Sequence, residues 1–157
     1  MEIRQHSGLF TLQTEQTLPL SILEAWNFFS NPKNLLKITP DHLGFEITSD
    51  VPEEIYPGCL ITYKVSPFLG IKTNWVTEIT QVKTGRYFID EQRYGPYSMW
   101  HHEHFFFETK NGVLMKDKIT YKVPGGLIGR ALHPIIVLPR LKQIFSYRSE
   151  VLPKLLG

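Results

Sequence analysis

Apolar and polar residues alternate along most of this sequence, which is the pattern of β-strands that bury one face. Residues 10–18 form the first alternating run, and residues 44–49, 59–66 and 71–82 form three more. A block from residue 85 to residue 123 adds three runs with no helical period between them. Consecutive strands with short connections pair most simply as antiparallel neighbours, so we expect one antiparallel sheet of six or seven strands.

Two short helices are predicted between the first and second of these strands. Ser21 and Glu24 have the spacing of a capping box, in which each side chain bonds a free backbone amide of the other. Apolar residues then recur at helical spacing until Asn31-Pro32, where the helix should end because proline disfavours a helical residue before it. A second short helix is expected at about residues 33–38.

The apolar period changes to three or four residues after residue 126, which predicts an amphipathic C-terminal helix of up to thirty residues. Pro134 and Pro139 should kink or split this helix, because each lacks an amide donor. Its basic and acidic side chains fit a solvated outer face. The predicted order is therefore strand, two short helices, a series of strands and a long helix, which is an α+β architecture.

The last two strands, residues 97–109 and 113–123, should form a hairpin around Asn111-Gly112. With this pair as a two-residue turn, Lys110 faces Val113 and Asp117 faces Phe106. Strand alternation then collects two imidazoles and a carboxylate on an otherwise apolar face. A solid core would exclude such groups unless they were paired, so the face suggests a cavity wall. Its members are Trp100, His102, His104, Phe106, Met115, Asp117, Ile119, Tyr121 and Val123.

The turn at Gly95-Pro96 leaves two registers open for the preceding strand. A two-residue turn would place Ile89 and Glu91 on the face of His102. A turn longer by one residue would place Phe88, Asp90 and Gln92 there instead, because a one-residue slip exchanges the two faces of a strand.

Composition excludes several classes of function. The 157 residues fit a single domain, residues 1–157. Lys and Arg number 17 against 15 acidic residues, with no basic stripe, so we expect no nucleic-acid partner. Cys59 is the single cysteine, which leaves no intramolecular disulfide or cysteine-based zinc cluster. Neither a signal peptide nor a membrane span is evident, so we expect a cytoplasmic protein. We also expect a monomer or a weak homodimer.

The order of elements and a set of short motifs resemble the START-like, or SRPBCC, superfamily of helix-grip proteins, which includes the Bet v 1 type and polyketide cyclases. The resemblance covers essentially the whole chain and is closest to a bacterial ligand-binding or cyclase-like subgroup, sometimes fused to an epimerase-like domain. It rests on Trp26, Asn31-Pro32, Asn34-Leu35, Trp75-x-Thr77-x-Ile79, Asp90-Glu91-Gln92, Gly95-Pro96-Tyr97, Trp100-x-His102-x-His104-x-Phe106, Asp117, Tyr121, Pro124-x-Gly126 and Phe145-x-Tyr147-Arg148.

The resemblance implies a curved sheet wrapped around the long helix, with a ligand between them. Expected ligand contacts on the sheet side are Trp75, Glu91, Gln92, Trp100, His102, His104, Phe106, Met115, Asp117, Ile119 and Tyr121. Expected contacts on the helix side are Leu132, Ile135, Ile136 and Leu138. The loop 67–70 and the helix near residues 35–38 are candidate entrance elements, and Arg148 is expected on the surface.

Three functions are compatible with this pattern. The first is a protein that binds an apolar small molecule, such as a lipid, an aromatic polyketide or an isoprenoid, with the polar groups fixing its orientation. The second is a cyclase, dehydratase or hydrolase that uses His102, His104 and Asp117 as acid and base. The third is a protein-interaction domain. Two histidines and a carboxylate are also conceivable metal ligands, but the predicted register separates them, so we expect no metal and no cofactor.

Overall fold

The computed structural model describes residues 1–68 and 70–157. Two helices, two short 3₁₀ helices and eight strands follow one another along the chain. They are β1 (Glu2–His6), β2 (Leu9–Leu18), α1 (Ile22–Phe29), 3₁₀ helices at Pro32–Ile38 and Asp41–Leu43, β3 (Glu46–Ile47), β4 (Leu60–Phe68), β5 (Ile71–Lys83), β6 (Tyr87–Tyr94), β7 (Met99–Thr109), β8 (Gly112–Lys122) and α2 (Gly126–Leu156).

All the strands form one antiparallel sheet in the order β1-β2-β8-β7-β6-β5-β4-β3. The sheet has eight strands, where six or seven were predicted. The added strand, β1, is almost wholly exposed and carries little apolar pattern. It pairs with β2 through a turn at Ser7 and Gly8, both of which have the positive φ that tight hairpin turns require.

The helices begin where local sequence signals placed them. Ser21 and Glu24 form the predicted capping box, with Ser21 N donating to Glu24 Oε2 over 2.9 Å. Asn31 caps the 3₁₀ helix that follows α1. Helix α2 runs unbroken through Pro134 and Pro139, so neither proline splits it.

The hairpin of β7 and β8 turns one residue earlier than predicted. Thr109 pairs with Gly112, so Lys110 and Asn111 occupy the turn. Thr109 Oγ1 accepts from the Asn111 amide and donates to the Gly112 carbonyl, which stabilises this arrangement. The predicted pairing of Asp117 with Phe106 is therefore wrong, since Asp117 pairs with His104. Face membership is unchanged, because moving the turn by one residue changes the pairing by two residues, and an even shift keeps each side chain on its face.

The core lies between the sheet and the helices in two clusters. In the first, Trp26 of α1 packs edge-on against Phe88 and Phe106 of the sheet. In the second, Tyr121 of β8 packs with residues of α2, including Val137 and Phe145. Among the described residues, no helix is both long enough and apolar enough to cross a membrane.

One stripe of α2 faces the sheet, and it differs from the helix-side contacts that were expected. Its buried residues recur every three or four positions and include two polar side chains; they are His133, Val137, Leu141, Phe145, Arg148 and Leu152. Leu132 and Ile135 are 42% and 72% exposed, so the expectation that they face the sheet is wrong. The first half of α2 carries apolar residues on several sides, and only packing against the sheet selects one of them.

Candidate functional site

A cavity of about 200 Å³ lies between the sheet, α2 and the segment from α1 to β3. Its wall is mostly apolar and aromatic. The lining residues are Phe28, Phe29, Asn31, Pro32, Asn34, Leu35, Ile38, Thr39, Leu43, Phe45, Ile55, Ile61, Tyr63, Val65, Pro67, Trp75, Thr77, Ile79, Phe88, Asp90, Tyr97, Trp100, His102, His104, Leu141, Ile144, Phe145 and Arg148.

The aromatic part of this wall is built around Trp75 of β5. The ring of Trp75 stacks on Tyr63 with centroids 5.7 Å apart and meets Trp100 edge-on at 5.4 Å. Its Nε1 is buried and has no hydrogen-bond partner among the described residues. A buried indole N–H normally has an acceptor, so this donor is available to a ligand in the cavity.

The polar part of the wall comes from β6 and β7, and the neighbouring strand β8 places a carboxylate beside it. The β6–β7 register sets Asp90 opposite His102, and the β7–β8 register sets His104 opposite Asp117. Of the two registers left open at Gly95-Pro96, the structure has the one that puts Asp90 on the His102 face. The four side chains therefore lie side by side across the sheet as one group, called here the His–Asp cluster (Asp90, His102, His104 and Asp117).

Contacts within the His–Asp cluster are short and reciprocal. Asp117 Oδ1 lies 2.9 Å from His102 Nε2 and 3.0 Å from His104 Nδ1. Asp90 Oδ2 lies 2.6 Å from His104 Nε2 and 3.6 Å from His102 Nδ1. The two imidazole rings are 3.6 Å apart at their centroids. Each histidine thus directs one ring nitrogen to Asp117 and the other toward Asp90.

These contacts set different protonation states for the two histidines. Both ring nitrogens of His104 meet carboxylate oxygens, so both must carry protons to donate. Burial disfavours the charged ring, but hydrogen bonds to Asp117 and Asp90 outweigh it and raise the pKa of His104. Burial, together with the charge of His104, lowers the pKa of His102. His102 is then neutral, with Nε2–H held by Asp117 and an unprotonated Nδ1 that lies 3.6 Å from Asp90 Oδ2.

Both carboxylates of the cluster are ionised. Burial opposes the charge on Asp117, but hydrogen bonds from the two histidines outweigh burial and hold its pKa below the usual range. Burial likewise opposes the charge on Asp90, but its interactions with His102, His104 and Arg148 outweigh burial and lower its pKa. When His104 is protonated, its charge and that of the Arg148 guanidinium balance the two carboxylates.

Arg148 is buried, in contrast to the predicted surface position. It is 8% exposed, its Nη1 lies 3.9 Å from Asp117 Oδ1, and its guanidinium lies over the Phe145 ring at 5.0 Å. Its Nε has no hydrogen-bond partner among the described residues. The sequence does hold a signal for this burial, because Arg148 lies at helical spacing from Leu141 and Phe145 on α2. Its charge nevertheless favoured a solvated position.

The predicted contact residues on the sheet separate into two groups. Trp75, Trp100, His102 and His104 line the cavity, as do Leu35, Ile38 and Pro67 from the proposed entrance elements. Phe106, Met115, Asp117, Ile119 and Tyr121 are buried on the same sheet face but lie outside the cavity lining. Leu69 of the predicted turn lies outside the described residues. Contact of any of these residues with a ligand stays a prediction.

Glu91 and Gln92 have other partners. Glu91 is opposite His101 and on the other face from His102, and its Oε1 lies 2.8 Å from His101 Nδ1. The choice of Glu91 as a cavity residue is therefore wrong. Gln92 accepts from the Tyr97 amide and donates to the Tyr97 carbonyl, which ties β6 to the following turn. Asp90 was expected on this face in only one of the two registers, because the turn at Gly95-Pro96 decides between them.

Comparison with known proteins supports the fold and leaves the activity open. No protein-family profile matches the chain, and no curated protein sequence matches it. Protein CV1439 from Chromobacterium violaceum superposes with a TM-score of 0.68 at 11% identity, over 93% of this chain and 96% of that one. Ara h 8.0201, a Bet v 1 allergen, gives 0.61 at 14% identity, over 91% and 97% of the two chains.

A larger protein contains the same arrangement. The nucleoside-diphosphate sugar epimerase from Corynebacterium glutamicum gives a TM-score of 0.64 at 18% identity, over 91% of this chain but 28% of that one. The antiparallel sheet and long C-terminal helix of this chain superpose on these structures, which shows a Bet v 1-like fold. This chain has the α+β helix-grip fold that its sequence resembles.

Proposed function

We propose that the protein binds a mostly apolar small molecule with one polar end in the cavity between the sheet and α2. The observation that carries this proposal is the division of the cavity wall. Aromatic and aliphatic side chains cover most of it, whereas Asp90, His102, His104 and Arg148 meet at one place. Ligand pockets in proteins commonly combine an apolar wall with a few convergent polar groups.

Stability alone gives little reason for this polar group. Replacing a buried ion-pair network by apolar residues of similar volume is often neutral or stabilising. A network kept beside an apolar cavity is better explained by the orientation of a ligand. Trp75 Nε1–H and the Arg148 guanidinium offer donors, so the polar end of the ligand should carry acceptor oxygens, as in a ketone, a phenol or a carboxylate.

The size of the cavity favours a compact ligand. Its volume of about 200 Å³ is below the roughly 300–1,000 Å³ of usual ligand pockets. An aromatic polyketide fragment or a short isoprenoid fits this volume better than a long-chain lipid.

The first test is native mass spectrometry of protein purified from its own host, followed by denaturing extraction of bound molecules. A stoichiometric apolar molecule would support the proposal and give the chemical class. Protein that is empty and also binds no member of a panel of lipids, quinones and aromatic polyketides would overturn it.

A matched pair of variants tests whether the bound molecule lies in the cavity. Ile144 lines the cavity, whereas Ile135 lies on the same helix and is 72% exposed. Ile144→Trp should fill part of the cavity and weaken binding of the molecule identified above. Ile135→Trp makes the same change outside the cavity and should leave binding unaltered. Equal binding by both variants would show that the molecule binds elsewhere.

Acid–base catalysis is the second candidate function, and the geometry of His102 favours it. A buried carboxylate, Asp117, orients a neutral imidazole whose other nitrogen is unprotonated and lies at the cavity wall, 3.6 Å from Asp90 Oδ2. A general base needs this arrangement. His102→Gln should preserve most of the ligand affinity of a carrier, but it should lower the rate of an enzyme on the order of 10²-fold or more.

A further inference from the structure

Three metal-ligating atoms converge at the polar end of the cavity. One ligand atom from each of Asp90, His102 and His104 lies within 4.8 Å of the other two. We propose that these three side chains bind a divalent transition-metal ion, with Zn²⁺ or Fe²⁺ as the fitting type. This site is independent of the ligand proposed above, since the cavity would accept an apolar molecule with or without the ion.

Two of the three donor spacings require little movement. An ion about 2.1 Å from each donor places neighbouring donors about 3.0 to 3.4 Å apart for angles between octahedral and tetrahedral. Asp90 Oδ2 is 2.6 Å from His104 Nε2 and 3.6 Å from His102 Nδ1. Shifts of a few tenths of an ångström would therefore bring both pairs into the required range.

Asp117 supplies the second observation that points to an ion. Metal-binding histidines almost always donate their other ring N–H to a carboxylate or carbonyl, which fixes the ring and its tautomer. Here one oxygen of Asp117 lies 2.9 Å from His102 Nε2 and 3.0 Å from His104 Nδ1. These are the ring nitrogens that face away from Asp90, so both rings are held with their remaining nitrogens toward the same place. Asp117 Oδ2 is buried and has no hydrogen-bond partner among the described residues.

The donor set selects the type of ion. Two imidazole nitrogens and one carboxylate oxygen suit zinc and iron, whereas calcium and magnesium prefer oxygen ligands alone. Three protein ligands leave further coordination positions open. Because Asp90, His102 and His104 all line the cavity, an open position would face the space where a ligand oxygen would lie.

The charges of the site also fit an ion. An ion bound to His104 Nε2 would displace the proton of that nitrogen, and the two carboxylates of the His–Asp cluster would then balance its charge of +2 beside two neutral imidazoles. Arg148 then remains positive at 3.9 Å from Asp117, free to pair with an acidic ligand. The ion would take the lone pair of His102 Nδ1, so metal binding and the acid–base role of His102 exclude one another.

The test begins with the wild-type protein after dialysis against EDTA. Co²⁺ is titrated in and followed by its visible absorption, and Zn²⁺ binding is measured by calorimetry and by elemental analysis after desalting. The proposal predicts one ion per chain and a Co²⁺ spectrum of nitrogen and oxygen ligands. Failure of the folded wild-type protein to bind Co²⁺ or Zn²⁺ stoichiometrically would overturn the proposal, whatever the variants do.

Variants then locate the ion. His102→Gln, His104→Gln and Asp90→Asn should each abolish stoichiometric binding. His101→Gln is the matched control, because His101 lies on the same strand, on the other sheet face, and pairs with Glu91. Asp117→Asn should lower the affinity for the ion by about 10- to 100-fold, because it removes the carboxylate that orients both imidazole rings.

Circular dichroism spectra of each variant separate loss of the site from loss of the fold. Binding that survives in all three folded ligand variants, or that His101→Gln removes, would overturn the assignment to this site. If a variant does not fold, the stoichiometry and the Co²⁺ spectrum of the wild-type protein decide whether the metal proposal stands. Ligand binding measured with and without EDTA shows whether the proposed function stands when the metal proposal fails.

Discussion

The conversion of Asp117 to Asn is the sharpest test of the charged network. Asparagine has nearly the same shape, so the change removes the negative charge while leaving the packing in place. Asp117 is 2% exposed, and its Oδ1 is the shared acceptor of His102 and His104 and faces Arg148. The variant therefore leaves the His104 imidazolium and the guanidinium with one carboxylate, Asp90, where two were present.

The expected loss is a large share of the stability of a small domain. Removing one member of a buried ion pair costs about 3–5 kcal/mol, because the partner charges stay buried without compensation. The whole free energy of unfolding of a domain is about 5–15 kcal/mol. We therefore expect Asp117→Asn to lower the free energy of unfolding by about 3–5 kcal/mol, which still permits folding of all but a marginal protein.

The assay is urea unfolding followed by circular dichroism at neutral pH in the presence of EDTA, which removes any contribution from a bound ion. Glu15→Gln is the control, since it also removes a carboxylate from an ion pair, the one with Lys116, but on an exposed part of the sheet. Exposed pairs contribute about 0–1 kcal/mol, so the control should be nearly neutral. A loss below about 1 kcal/mol for Asp117→Asn, matching the control, would refute the charged network.

The pH dependence gives an independent check on the same residue. The folded-state pKa of Asp117 lies below its unfolded value, so its contribution is complete above about pH 4 and is lost as the pH falls further. The difference in stability between wild-type protein and Asp117→Asn should therefore shrink in acid. A difference that grew below pH 4 would contradict the assigned direction.

Two further predictions concern the turn of the β7–β8 hairpin and the buried histidine of α2. Gly112→Ala should lower the melting temperature clearly more than Gly58→Ala. Both glycines have positive φ, but a methyl group at Gly112 would lie 2.1 Å from the Leu18 carbonyl oxygen, whereas at Gly58 nothing lies within 4 Å. Equal losses of melting temperature in the two variants would contradict this steric reason. Burial lowers the pKa of His133, which hydrogen-bonds the Tyr121 hydroxyl over 2.7 Å, so the folded state resists its protonation. As the pH falls below about 6.5, wild-type protein should lose more unfolding free energy than His133→Gln, which keeps a partner for that hydroxyl; parallel pH profiles from urea unfolding would show that His133 titrates normally.

Local patterns in the sequence predicted most of the elements. Alternation gave β2 and β4 to β8 within a few residues, and the capping box of Ser21 and Glu24 gave the start of α1. Alternation also grouped His102, His104 and Asp117 on one face, and this grouping survived a turn displaced by one residue. The reason is that a side chain's face depends on its parity along the strand, which a shift of the whole hairpin does not change.

The position of Asp90 depended on tertiary structure. Its face is set by the register of β6 on β7, and that register depends on the loop where Gln92 hydrogen-bonds the backbone of Tyr97. The sequence left two registers that differ by one residue, and such a difference exchanges the faces. Only the folded loop could select the register that completes the His–Asp cluster.

The rotation of α2 about its axis also depended on tertiary packing. Apolar residues lie on several sides of its first half, so periodicity alone did not separate the exposed Leu132 and Ile135 from the buried Val137. The sheet buries instead a stripe that contains His133 and Arg148, two residues whose polarity argued for solvent. Sequence thus determined the elements and their faces, because these follow from local geometry. The register of β6 and the rotation of α2 required the tertiary structure, because both depend on contacts between residues distant in the chain.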